Sequence, residues 1–204
     1  MDILPNSPAS ERNKGPILEV LRKEFGSVRH VLEIGSGTGQ HAVFFGAELP
    51  HLTWQTSDLP ENHATILQAL QRGGPRNVKP PLELDVERAE GLAMESDAVF
   101  SANTAHIMSI HAVERMFELV GRVLPDGGVF CLYGPFNFSG QFSSDSNARF
   151  DASLRQRNSS MGIRDLDDLD RFARSSGMSR VRLYAMPAMN YIALWQKSNG
   201  LPYS

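Results

Sequence analysis

The sequence predicts an α/β chain on one seven-stranded, mostly parallel, doubly wound sheet with an antiparallel C-terminal strand. Three observations carry that expectation. Strand and helix patterns alternate from His30 to Tyr133, which specifies a parallel sheet covered on both faces. The run Val31-Leu32-Glu33-Ile34-Gly35-Ser36-Gly37-Thr38-Gly39-Gln40-His41-Ala42 reads as a buried strand, a glycine turn and a helix start. Two late strand patterns, Arg180–Ala185 and Tyr191–Gln196, are separated by the five residues Met186–Asn190. Five residues cannot hold a crossover helix, so these strands must be antiparallel.

The elements follow in order. Residues 1–9 carry Pro and Ser and read as irregular. Ser10–Lys14 leads into a helix whose apolar stripe is Ile17, Leu18, Val20, Leu21 and Phe25, stopped by Gly26. Pro16 fits only near its start or as a kink. His30–Ile34 is the first strand and Gln40–Leu49 a short helix. Leu52–Ser57 is the second strand, with Thr53, Trp54 and Thr56 typical of strands. A helix over Pro60–Gln71 is broken by Gly73-Gly74-Pro75. Leu82–Val86 is a short third strand and Ala98–Ser101 the fourth. His111–Val123 is helical. Val129–Tyr133, apolar throughout, is a central fifth strand. Pro135–Ser160 is polar and aromatic with few helix signals, and loops of this length are functional lids or disordered. Asp165–Ser176 is a helix capped by Asp165. The whole of 1–204 is expected to form one domain, with an N-terminal helical segment at 1–26 and a lid or substrate insert at 135–164.

Composition narrows the function classes. The 204 residues are 41% hydrophobic and 21% charged, ordinary for a soluble globular protein. The net charge of −3 argues against a nucleic-acid partner, which needs many cationic contacts. The single cysteine, Cys131, cannot form an internal disulfide. No apolar run reaches membrane-spanning length, and the N-terminus lacks signal-peptide order, so a cytoplasmic location and no membrane partner are expected. Oligomeric state is not legible. No histidine pair has metal-ligand spacing, so no metal is expected.

The glycine turn points to the cofactor. Gly35, Gly37 and Gly39 alternate, and Gln40 sits where a dinucleotide motif places its third glycine. A cofactor without phosphates, S-adenosylmethionine, therefore fits better than a pyrophosphate. Asp58 ends the second strand, 19 residues after Gly39. It can accept ribose hydroxyls or cap the helix at Pro60.

A parallel sheet closing on an antiparallel hairpin is similar to the Rossmann-like class I methyltransferase fold. In that plan Glu33 orients the methionine part of the cofactor, and its alternative is a turn cap. Asp85 takes the adenine amine, or is a turn aspartate. The cofactor site then comprises Asn13, Glu33, Gly35, Ser36, Gly37, Thr38, Gly39, Asp58, Leu59, Asp85, Val86 and Asn103. His106 reads as a general base or a helix-start histidine. Tyr133 reads as a wall of the substrate pocket or a partner of the sulfonium, or as core. Residues 149–182 hold eight arginines against five aspartates. That stretch is an ion-paired face or a pocket for an anionic group on a small acceptor.

Ser7-Pro8-Ala9-Ser10-Glu11-Arg12-Asn13-Lys14, Glu33–Ala42 and Leu52–Asp58 resemble the methyltransferase-like-twenty-six family. So do Ser101-Ala102-Asn103, Tyr133–Phe136, Ser146-Asn147, Phe150–Leu154 and Gly162–Asp165. The resemblance implies a class I fold and S-adenosylmethionine binding, and leaves the acceptor undefined. Asn103-Thr104-Ala105-His106-Ile107-Met108-Ser109 departs from the family's Asn, apolar, His-Ile-Ser order by an extra residue or a shifted serine. Arg12, Asn13 and Lys14 close over the cofactor or simply start a helix. Two other functions compete. A non-catalytic sensor would keep the cofactor site without an acceptor site. An NAD-dependent reductase is disfavoured, because no tyrosine is followed by a lysine four residues later.

Overall fold

The computed structural model describes residues 7–89, 94 and 96–198. Its seven-stranded sheet has the order β3-β2-β1-β4-β5-β9-β8. The strands are β1 (His30–Ile34), β2 (Thr53–Asp58), β3 (Val78–Glu83), β4 (Ala98–Ala102), β5 (Val129–Gly134), β8 (Met178–Met186) and β9 (Asn190–Lys197). β1 pairs in parallel with β2 and β4, β2 with β3, and β4 with β5. β9 runs antiparallel to both of its neighbours, β5 and β8; the three-residue connection Pro187–Met189 leaves β8 and β9 no other arrangement. The order reverses between β1 and β4. Loops leaving the carboxyl ends of these strands diverge there and open a crevice.

The strand alternation builds two cores. Val31 of β1, Phe100 of β4 and Cys131 of β5 face α1 (Pro8–Glu24) and α2 (Gln40–Glu48). Leu32, Val99, Phe130 and Leu132 face α4 (Ile110–Val123) and α6 (Leu166–Ser175). On the first face Phe45, Trp54 and Phe100 meet as tilted and edge-on pairs within 5.6 Å. α3 (Pro60–Gly73) packs beside β3.

Three expectations differ from the structure. Residues 1–6 of the stretch expected to be irregular lie outside the described residues, but α1 already begins at Pro8, with the Ser7 side chain accepting from Ser10 N. Pro at the first helical turn loses no hydrogen bond. β3 lies at Val78–Glu83 instead of Leu82–Val86. It contains Pro80 and Pro81, which an outermost strand tolerates. The insert contains a helix, α5 (Asp145–Arg157), capped by Ser144. Its buried positions are Asn147, Asp151 and Leu154. The inward stripe has helical spacing but is mostly polar, so apolar periodicity could not reveal it. A short pair, β6 (Phe136–Asn137) with β7 (Arg164–Asp165), ties the two ends of the insert.

Candidate functional site

The turn after β1 is fastened to the end of β2. Gly35 N and Ser36 N both donate to Ser57 O, at 3.1 and 3.0 Å. Ser36 Oγ donates to Glu33 Oε2 at 2.8 Å and accepts from Ser57 N at 3.1 Å. Gly35 has φ +74, and a Cβ there would stand 2.5 Å from Thr104 Cγ2, so the turn packs under the loop after β4. Gly37 has φ +56, and a Cβ there would meet nothing within 4 Å. Its backbone lies bare and open to a ligand. Gly39 is the N-cap of α2.

Asp58 anchors the bare turn. Its Oδ2 accepts from Gly37 N at 2.6 Å, and Oδ1 accepts from Leu59 N and Asn62 Nδ2, each at 2.8 Å. A carboxylate offers about four lone-pair sites, so capacity remains for a ligand hydroxyl. Beyond β3, Asp85 Oδ1 accepts from Glu87 N at 3.0 Å.

α1 covers the start of α2. Ser7 N donates to Gln40 Oε1 at 2.6 Å, and Gln40 Nε2 donates to Glu11 Oε1 at 3.2 Å. His41 Nε2 lies 2.7 Å from Asn13 Oδ1. Burial lowers the His41 pKa to about 4, so its ring is neutral and donates through Nε2.

The opposite wall begins after β4. Ser101 Oγ donates to Ile34 O at 2.8 Å, and Asn103, at φ +61, donates through its backbone to Tyr133 O at 2.9 Å. His106 is buried at 8% exposure. Burial first, then the charges of Arg164 and Arg157, lower its pKa to about 4. Its backbone is clamped by the insert. Gly162 N donates to His106 O at 3.0 Å, and Arg164 donates to Ala105 O at 3.0 Å, to Ser160 O at 2.8 Å and to Met108 O. Asp151 steadies the clamp by accepting from Ile163 N and Arg155 Nε, each at 2.7 Å.

These walls enclose one cleft of about 920 Å³, in the size range of small-molecule sites. Of the sequence-predicted residues, Gly35, Ser36, Gly37, Thr38, Asp58, Leu59, Asp85, Val86, Asn103 and His106 line it. Asn13, Glu33, Gly39 and Tyr133 are not part of the lining. Glu33 is turned inward, where Ser36 and Trp54 donate to it, and burial raises its pKa to about 7. Tyr133 is 4% exposed and packs in the core on the α1 side. Its phenol reaches Asn13, and burial raises its pKa. Asn13 thus joins two buried rings behind the wall. Sequence reasoning missed His41, Asn62, Asn147, Phe150 and Asn190, which also line the cleft. The signals for two of them lay in Ser146-Asn147 and Phe150–Leu154, which read as motif without chemistry.

Among the described residues, four of the eight arginines of the locally basic stretch are in ion pairs. Arg155 meets Asp151, Arg171 meets Asp168, Arg180 meets Asp170, and Arg182 meets Glu24. The cationic side chain on the cleft lining is Arg12.

Several solved structures similar to this chain are methyltransferases. An O-methyltransferase family protein from Burkholderia thailandensis matches with TM-score 0.79 and 17% identity, over 95% of this chain and 58% of that one. The mitomycin 7-O-methyltransferase MmcR matches with TM-score 0.81 and 14% identity, over 93% and 54%. Human N-acetylserotonin methyltransferase, solved in complex with SAM, matches with TM-score 0.79 and 15% identity, over 94% and 53%. The chain therefore spans little more than half the length of these proteins, and what it shares with them is the class I methyltransferase fold. By sequence, with residues 4–197 matched, it belongs to the family described as Protein of unknown function (DUF938).

Proposed function

We propose that the chain is an S-adenosylmethionine-dependent methyltransferase acting on a small-molecule acceptor in the cytoplasm, in keeping with its resemblance to the methyltransferase-like-twenty-six family. The observation that carries this is the open Gly37 turn bonded to Asp58 at 2.6 Å, at the sheet's order reversal. Main chain without a Cβ can lie against an uncharged sugar and thioether, and Asp58 can accept from ribose hydroxyls. Leu59 and Val86 supply apolar contact for a purine, with Asp85 at its edge. Diphosphate suits this pocket poorly. Gln40 holds α1 over the start of α2, where a diphosphate would need open N–H groups.

When bound, S-adenosylmethionine supplies an electrophilic methyl group. The chain's residues then have two tasks. They align the acceptor and exclude water, and they remove a proton where the nucleophile carries one. His106, neutral and without a hydrogen bond from its ring to any described residue, is placed for the second task. The mouth residues Ile107 and Phe150, 47% and 39% exposed, serve the first.

Isothermal titration with S-adenosylhomocysteine tests the reading. Saturable one-to-one binding is expected. No heat with that ligand, together with quenching of NADH fluorescence, would replace it by a reductase. A non-catalytic sensor would bind S-adenosylhomocysteine yet transfer no labelled methyl group to any fraction of cell metabolites.

A further inference from the structure

α5 contributes Asn147 and Phe150 to the lining of the cleft. Asn147 lines the cleft and is 7% exposed. Its Nδ2 donates to Ser143 Oγ at 2.7 Å and to Met189 O at 3.1 Å. A backbone carbonyl can be met only by a donor, so the Met189 contact fixes which way the amide faces. The remaining atom, Oδ1, accepts nothing from the described residues. It is not among the sealed, unpartnered atoms Ser96 Oγ, Asn137 Oδ1 and Ser176 Oγ, so it keeps access to open space, on a residue that lines the cleft.

Phe150 lies three positions further on the same helix face. Its ring stands edge-on to His106 with centroids 5.2 Å apart. An amide oxygen and an imidazole nitrogen, both uncommitted, therefore border one compartment. Pro135, Ile107 and Met108 add apolar surface to its lining.

We infer that the acceptor is a neutral molecule presenting two hydrogen-bond donors on an apolar body, one for His106 at the transfer position and one for Asn147 Oδ1. This rests on the methyltransferase reading. A carboxylate or phosphate at the second position has no proton to give and would meet the amide oxygen lone pair against lone pair. A molecule lacking the second donor would strip water from that oxygen and leave it unpaired, which weakens binding about tenfold.

The test is binding, read by ligand-observed NMR on protein saturated with S-adenosylhomocysteine. The probes are catechol, resorcinol, hydroquinone, the matching fluorophenol of each, and benzoate. Fluorine replaces a hydroxyl at similar size and donates nothing. At least one diol is expected to bind about tenfold more tightly than its fluorophenol and than benzoate. In Asn147→Ala that preference falls to within about twofold while S-adenosylhomocysteine affinity holds. A purely architectural Asn147 would weaken both members of a pair alike and leave their ratio intact. Ser143→Ala loosens one tie of the amide and keeps Oδ1, so the diol preference survives. No diol preference in the wild type, an unchanged preference in Asn147→Ala, or benzoate binding best would each overturn the inference. Failure to bind S-adenosylhomocysteine is measured first and removes the parent reading with it.

Discussion

Two carboxylates on the neighbouring strands β1 and β2 illustrate how position decides role. Glu33 and Asp58 both close strands beside the glycine turn, yet one is turned into the core and the other borders the cleft. Asp58→Ala removes the acceptor of Gly37 N and the hydroxyl partner proposed for the ligand. S-adenosylhomocysteine binding is expected to weaken about 10–100-fold by calorimetry, the effect of losing a charge-assisted hydrogen bond. Glu33 instead governs pH dependence. Its folded-state pKa, about 7, lies above its ordinary 4.5. Its contribution to stability is therefore fully present below pH 4.5 and lost as pH rises through 7. His41 and His106 have the opposite sign, with pKa values of about 4 against an ordinary 6.5. Their contribution is present above pH 6.5 and lost as pH falls towards 4. The midpoint of thermal unfolding for Glu33→Gln relative to wild type should climb between pH 4.5 and 7, then level off. A difference that stays flat across that window would mean that Glu33 ionises normally in the folded protein.

At the scale of elements, Arg164 ties the insert to the loop after β4. Its guanidinium reaches the backbone carbonyls of Ala105, Met108 and Ser160, so it joins the two loops that flank His106. Arg164→Met should destabilise the fold by about 2–4 kcal/mol, seen in urea unfolding. It also removes a positive charge that depresses His106, so the His106 pKa should rise from about 4 towards 6.5 in an NMR titration. A pKa that stayed put would assign the shift to burial and Arg157. The same insert marks the limit of what the sequence makes legible. The strand Val129–Gly134 announces itself as a continuous apolar run, and helices such as Ile110–Val123 because their buried positions are apolar at period 3.6. α5 buries Asn147 and Asp151 against partners far away in sequence, and polar residues at helical spacing look like a solvated loop. The Asp58 end of the site was legible because a main-chain turn needs its glycines in fixed places. Glu33 and Tyr133 were legible as residues but not as directions. Each belongs to a strand whose alternate side chains face opposite layers, and Trp54 and Asn13 draw them inward.

At the scale of the molecule, the cleft is walled by elements from both layers. α1 packs on one face of the sheet and α4 on the other, while the five parallel-strand ends between them carry the loops. A ligand that bridges these walls binds only the folded chain, so it stabilises the whole. At a hundredfold excess over its Kd it adds about 2.7 kcal/mol. For a chain of this size that raises the midpoint of thermal unfolding by about 5–10 °C. S-adenosylhomocysteine is expected to produce that shift, and NADH none. Near- and far-ultraviolet circular dichroism should report one coincident transition with and without ligand, because both cores share the strands of a single sheet. A ligand shift confined to the near-ultraviolet signal would mean that the cleft orders locally, and that the two layers do not melt as one unit.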